Sequence, residues 1–140
     1  ECIRTVISLG SPMRFSVVAV SLKKNVQALY RYFAHPMGPT AHVANVRAKV
    51  LKSPPSMPST CIYSMTDGVV PPSSAQLDTS VGQHENIWVP GSHIGLGFNA
   101  AVMWILADRL AQPEGTWEPF EPHGVVGSLY ERMASLMQAA

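Results

Sequence analysis

Charge is scarce in this 140-residue chain: ten Lys and Arg stand against nine Asp and Glu, giving a formal net charge of +1. Lys23 and Lys24 are the only adjacent basic pair. No basic stripe therefore exists to track a nucleic-acid backbone or to draw the chain onto an anionic membrane. Long apolar runs are missing as well. Residues 100–107 form one of the longest, far short of the roughly 20 residues that cross a bilayer, so no membrane span is expected. Cysteine is nearly absent, with Cys2 and Cys61 alone. Both fall in strand-like surroundings, where a thiol behaves as a small buried hydrophobe. A disulfide joining neighbouring strands stays open as an alternative, but two cysteines do not make the framework of a small secreted domain. Neither has the Cys/His spacing of a zinc site. A cytoplasmic location is expected, any signal peptide falling upstream of Glu1.

What is plentiful is apolar residue content, at 46% of the chain, enough for one compact core. The chain opens on Glu1 and enters an apolar strand at once. With the low charge, this leads to the expectation that residues 1–140 are the C-terminal portion of a larger domain, whose missing part covers an exposed strand edge.

The β-branched residues of segment 2–8 predict a first strand, ended by Leu9-Gly10-Ser11-Pro12. From Ser16 the spacing turns helical, through Leu22, Val26, Leu29, Tyr30 and Phe33, until His35-Pro36 stops it. Val43, Val46 and Val50 continue as a shorter helical pattern. Three prolines and three serines within residues 52–59 mark a loop leading to a second strand over 60–65. A Pro/Ser-rich excursion to His84 precedes a third strand over 86–90.

Asn99 is placed to cap a helix running to about residue 111, with Val102, Ile105, Leu106 and Leu110 as its apolar stripe. A last helix from about residue 125 carries Val126, Leu129, Tyr130, Met133 and Met137 on one face. Strands alternating with helices predict an α/β class: about three parallel strands with flanking helices.

Two residues carry the chemistry of interest. Asp67 follows the second strand and His93 the third, and reactive groups in open α/β sheets collect at the carboxyl ends of strands. Gly68 lets the chain turn behind the carboxylate, and small residues surround the histidine in Gly91-Ser92-His93-Ile94-Gly95. In such a pair the imidazole takes a proton from a hydroxyl nucleophile while the carboxylate orients the ring and stabilises its charged form.

Taken in order, Val6-Ile-Ser-Leu-Gly-Ser-Pro12, Ile62-Tyr-Ser-Met-Thr-Asp-Gly-Val-Val-Pro71, Gly91-Ser-His-Ile-Gly-Leu-Gly-Phe-Asn99 and Ala107-Asp-Arg-Leu110 resemble consecutive blocks of bacterial α/β-hydrolases of the lipase/esterase kind. The resemblance covers roughly residues 2 to 120. It implies a partial α/β-hydrolase fold in which Asp67 is the triad acid and His93 the triad base, residues 13–57 form a helical cap-like insertion, and no metal or organic cofactor is used. It further implies a small-molecule or lipid ester as substrate of the full-length parent, with the N-terminal half of the same fold as this chain's partner. The family's nucleophile sits upstream in a G-x-S-x-G elbow, in the order Ser, Asp, His. No such elbow occurs in these 140 residues. The chain is therefore expected to be inactive alone. An acyltransferase with the same triad and a catalytically inactive, interaction-only chain are the alternative readings.

Other candidates read more plainly. Ser11, at a strand end, is the only local substitute for a nucleophile and fits a turn residue better. Asp108 and Asp78 follow Asp67 as choices for an acidic role. Asp108-Arg109 is expected to make exposed or helix-end contacts, and Trp117 and Phe120 to fasten the tail. Gly95-Leu-Gly-Phe-Asn-Ala100 fits a dinucleotide-binding G-x-G-x-x-A. The acidic strand a Rossmann unit needs next is replaced by Pro113-Glu-Gly115. His35, His42, His84 and His123 share no ligand spacing and read as surface or capping groups.

Overall fold

A computed structural model describes residues 3–13 and 55–138. Three parallel strands, β1 (Val6–Leu9), β2 (Ser59–Tyr63) and β3 (His84–Trp88), form a sheet in that order, flanked by helices α1 (Ala100–Ala111) and α2 (Gly124–Gln138). The expected α/β class of three parallel strands and flanking helices is present at this level. The cap-like insertion expected at 13–57 lies, for residues 14–54, outside the described residues, as do Cys2, His35 and His42.

The middle strand sets the length of the other two. Val6 pairs with Ser59 and Ser59 with His84, while Pro58, having no N–H, cannot carry the ladder further back. Its carbonyl instead accepts from Val6 N at 3.0 Å. The ladder of β1 therefore begins at Val6 rather than at residue 2. In the same way β3 begins at His84, two residues earlier than hydrophobic patterning indicates, and β2 ends at Tyr63 rather than 65. His84-Glu85 is too polar to be recognised as part of a strand, yet each residue finds its place opposite β2.

Side-chain alternation divides the sheet into two faces. Ile62 and Ile87, with Val89 beyond β3, pack on Leu96, Val102 and Ile105, and Ile7, Leu9, Trp104 and Phe120 complete this core. The opposite face carries Cys61 and Asn86. There the Asn86 amide donates to the Leu77 carbonyl and accepts from the Leu77 N–H, both at 2.9 Å. The Pro/Ser-rich excursion is thereby fastened over the sheet, through a short 3-10 turn at Pro72–Ser74, with Ala75 and Leu77 buried.

The helix α1 departs from expectation at its end. Val102 and Ile105 are buried, but Leu110 is exposed and Arg109 is buried in its stead. Arg109 Nη1 reaches Glu85 Oε1 at 3.1 Å and the Glu118 carbonyl at 2.5 Å. Thr60 donates to Glu85 Oε1 at 2.6 Å and Phe120 N to Glu85 Oε2 at 2.7 Å. Phe120 also packs edge-on against Trp104 and lies over the Arg109 guanidinium. The expected exposed or helix-end contact of Asp108-Arg109 is thus corrected: one end of a buried ion pair ties α1, β2, β3 and the tail together. Such an arrangement holds because every oxygen and nitrogen taken from water has a partner.

On α2 the side chains of Val126 and Met137 lie outside the described residues, and the rest of the expected apolar face is only partly covered. Tyr130 is half-buried and donates to the Trp88 carbonyl at 2.7 Å, whereas Leu129 and Met133 are exposed, together with Val125 and Leu136. No described helix is long and apolar enough to cross a membrane. Cys61 is a buried free thiol, and burial pushes its pKa above the ordinary value of 9.0.

Candidate active site

In a parallel sheet all strands finish at one edge, so the residues just past β1, β2 and β3 become neighbours although they are far apart in sequence. They are Gly10, Asp67 and His93. Asp67 Oδ2 accepts a hydrogen bond from His93 Nδ1 at 2.8 Å. Because a carboxylate only accepts, Nδ1 is the donor, and in the neutral ring Nε2 is then the nitrogen that can accept.

The two side chains are unequally buried. The Asp67 side chain is 2% exposed and that of His93 34%, so the carboxylate is buried beside a partly accessible imidazole. Among the described residues nothing hydrogen-bonds His93 Nε2. Asp67 cannot swing. Its second oxygen accepts from Val69 N at 2.7 Å and Val70 N at 2.9 Å, an Asx-type turn of the chain onto its own side chain. Together these bonds orient the imidazole, and a neutral imidazole so held by a carboxylate can take a proton from a hydroxyl.

The loop after β3 is held from the helix side by Asn99. Its Oδ1 accepts from Ala101 N at 2.9 Å, capping α1, and its Nδ2 donates to the Pro90 carbonyl at 2.6 Å. The expected cap thus has a second use: it draws both ends of the His93 loop together. The Gly95–Phe98 segment is a 3-10 turn leading to the cap, and α1 is followed by the 112–123 segment rather than by another strand. The dinucleotide reading therefore lacks its structural context.

Three residues of the site carry no sequence signature of their own. Gly10 is buried with φ +53°, and a Cβ placed on it would lie 2.8 Å from Leu96 Cδ1, 3.0 Å from Asp67 Oδ2 and 3.3 Å from His93 Nδ1. Its N–H continues the ladder onto the Ile62 carbonyl at 2.8 Å. Ser64 and Thr66 both reach the Gly91 carbonyl, at 2.5 and 2.9 Å. A glycine at a strand end is a readable sign of a turn, but its closeness to Asp67 and His93 comes only from the pairing of the strands.

The lesser candidates are occupied elsewhere. Ser11 is exposed and its hydroxyl donates to the Leu9 carbonyl at 3.4 Å, a turn contact. Asp108 pairs with Arg109 Nη2 at 2.5 Å, and Asp78 accepts from the Ser80 hydroxyl at 2.6 Å. His84, expected at the surface, is buried in β3, a correction that follows from the ladder starting there. His123 is exposed and stacks edge-on near Trp104. Among the described residues no three His, Cys, Asp or Glu side chains converge as metal ligands. A cleft of about 320 Å³, lined by Arg4, Thr5, Thr60, Gln83, Arg109 and Trp117, opens at the amino ends of the strands, on the edge opposite His93. Both arginines in its lining are already engaged, Arg109 by Glu85 and Arg4 by the Leu110 and Gln112 carbonyls.

Neither a scan against protein-family models nor searches of curated proteins and of solved structures find a match for this chain.

Proposed function

We propose that this chain supplies the acid and base of a serine-type ester hydrolase, with His93 as general base and acid and Asp67 as its orienting carboxylate. The observation that carries the reading is the 2.8 Å contact from His93 Nδ1 to a buried Asp67 Oδ2, made across the carboxyl ends of adjacent parallel strands. The likeness of the surrounding blocks to α/β-hydrolases of the lipase/esterase kind supports it. The nucleophile is a serine contributed by polypeptide outside these 140 residues, in a G-x-S-x-G elbow.

The serine hydroxyl passes its proton to His93 Nε2 as its oxygen attacks the ester carbonyl, and Asp67 stabilises the imidazolium that results. His93 then returns the proton to the departing alkoxide. Water, deprotonated by the same nitrogen, releases the acid from the acyl-enzyme and regenerates the serine. If an alcohol replaces water at that step, the protein is an acyltransferase of the same design. Met65, Ile94 and Phe98, all exposed on the two loops that carry Asp67 and His93, suit an ester with an apolar acyl group.

A second reading, an interaction-only chain, draws on the uncovered apolar residues of α2. Reading the coding sequence for about 20 to 30 residues before Glu1 separates the two: the hydrolase reading expects the elbow there. The protein extended to include it should be labelled by a fluorophosphonate probe and should hydrolyse p-nitrophenyl esters. The chain as it stands should do neither. In the extended protein His93→Ala abolishes turnover, and Asp67→Asn costs about 10⁴ in rate by leaving the ring in the wrong tautomer. Full activity of the extended His93→Ala protein ends the assignment.

A further inference from the structure

We propose that Ser64 and Thr66 are positioning residues that set the approach of His93 to Asp67 through a single shared acceptor, the Gly91 carbonyl. This deepens the triad reading and rests on it for its catalytic consequence.

The sheet stops holding the two loops together just before the pair is reached. The last bond of the β2–β3 ladder runs from Val89 N to the Tyr63 carbonyl at 2.9 Å. Pro90 follows, with no N–H to continue it, and Gly91 then takes φ +148°. Beyond that point, among the described residues, hydrogen bonds from the Asp67 loop to the His93 loop are three: Ser64 Oγ to Gly91 O at 2.5 Å, Thr66 Oγ1 to Gly91 O at 2.9 Å, and the Asp67–His93 contact itself. Asp67 is fixed within its own loop by Val69 N and Val70 N. The free variable is the distance between the loops, and the two hydroxyls govern it.

The chemistry of the clamp is complete. The two hydroxyl oxygens also lie 3.1 Å from each other, and the arrangement in which each gives its one proton to Gly91 fills the two lone pairs of that carbonyl. The acceptor side of Ser64 Oγ is occupied by Thr66 N at 3.2 Å, so the turn is locked before it grips the neighbouring loop. Ser64 is 1% exposed, and in such surroundings an unmatched hydroxyl or carbonyl is penalised, which favours one loop spacing over its neighbours. Ser64 and Thr66 lie three residues and one residue before Asp67, and Gly91 two before His93, too close in sequence for a displacement at Gly91 to be absorbed by intervening chain.

The proton on His93 Nδ1 reports the spacing directly, without a nucleophile and therefore in the chain as it exists. With isotope-labelled histidine it should appear as a slowly exchanging downfield proton resonance, assigned by its disappearance in His93→Gln. Thr66→Val should move it upfield and broaden it, and Ser64→Ala with Thr66→Val should remove it. Thr66→Ser, which keeps the hydroxyl, should restore it. Thr116→Val, whose hydroxyl bonds the Pro113 carbonyl away from the site, should leave it in place. If the buried Ser64 variant does not fold, the comparison of Thr66→Val with Thr66→Ser, at an exposed position, decides the matter alone. A downfield resonance unchanged in Thr66→Val and in the double variant, or moved equally by Thr116→Val, overturns the proposal. Failure of the hydrolase reading shows elsewhere, as an extended protein that no fluorophosphonate labels even though the resonance and its response to Thr66 persist.

Discussion

Replacing Gly10 with alanine adds one methyl group at the point where all three strand ends meet. Gly10 has φ +53°, a conformation that costs an L-residue roughly 1–2 kcal/mol. The new Cβ would lie 2.8 Å from Leu96 Cδ1 and 3.0 Å from Asp67 Oδ2, closer than atoms normally pack. Neither neighbour can give way easily, because Leu96 is 1% exposed within the core and Asp67 is tied by three hydrogen bonds. Overpacking of this sort costs about 1–3 kcal/mol. Alanine also stiffens the unfolded chain, returning roughly 0.4–1 kcal/mol. The net loss is then about 1–5 kcal/mol, and the Asp67–His93 contact should lengthen with it. Gly68→Ala is the control, since an added Cβ there meets nothing within 4 Å, and it should stay within about 0.5 kcal/mol of the parent. Urea denaturation followed by tryptophan fluorescence measures both variants, provided the slope with denaturant is unchanged. Equal stability of the two alanine variants, with the His93 Nδ1 resonance unmoved in both, would refute the claim that Gly10 is required by the site.

Arg109→Met should destabilise the fold by about 3–5 kcal/mol, because it strands the buried Glu85 carboxylate. Adding Glu85→Gln should recover part of that loss, as removing both charges is milder than removing one, and a thermal melt of the three proteins checks the order. For Cys61, burial favours the neutral thiol in the folded state, raising its pKa. The proton is therefore held more tightly folded than unfolded. That contribution is intact below the ordinary thiol pKa and is lost as pH rises past it towards the folded value. Melts of the parent and Cys61→Ala should accordingly differ by a constant below about pH 8 and converge towards alkaline pH.

How much of this was legible in the sequence can be argued from particular residues. Asp67 and His93 were visible because each follows a β-branched or apolar segment and sits among turn-forming glycines, and because their order matched a known arrangement. Asn99 was visible as a cap because that role depends on the two residues that follow it. The extension of β3 back to His84 was not visible. Nothing in His84-Glu85 alternates as a strand should, and the polar groups of Glu85 and Asn86 are buried where Thr60, Arg109, Phe120 N and Leu77 come to meet them. Arg109 likewise displaced Leu110 from the core because an ion-pair partner waited on β3, something helical periodicity cannot register.

By itself, then, the sequence determined what is local: which segments extend or coil, where turns interrupt them, which residue caps α1, and the presence of a carboxylate and an imidazole after consecutive strands. Only the tertiary structure decided the relations between segments. Parallel pairing brought Gly10, Asp67 and His93 to one edge, the Ser64 and Thr66 hydroxyls converged on Gly91, and Glu85 met Arg109. The physical reason is one of range. Backbone dihedral preferences and capping act over a few residues, whereas a hydrogen bond needs its atoms within about 3 Å, and residues 26 apart such as Asp67 and His93 reach that distance only once the sheet has formed.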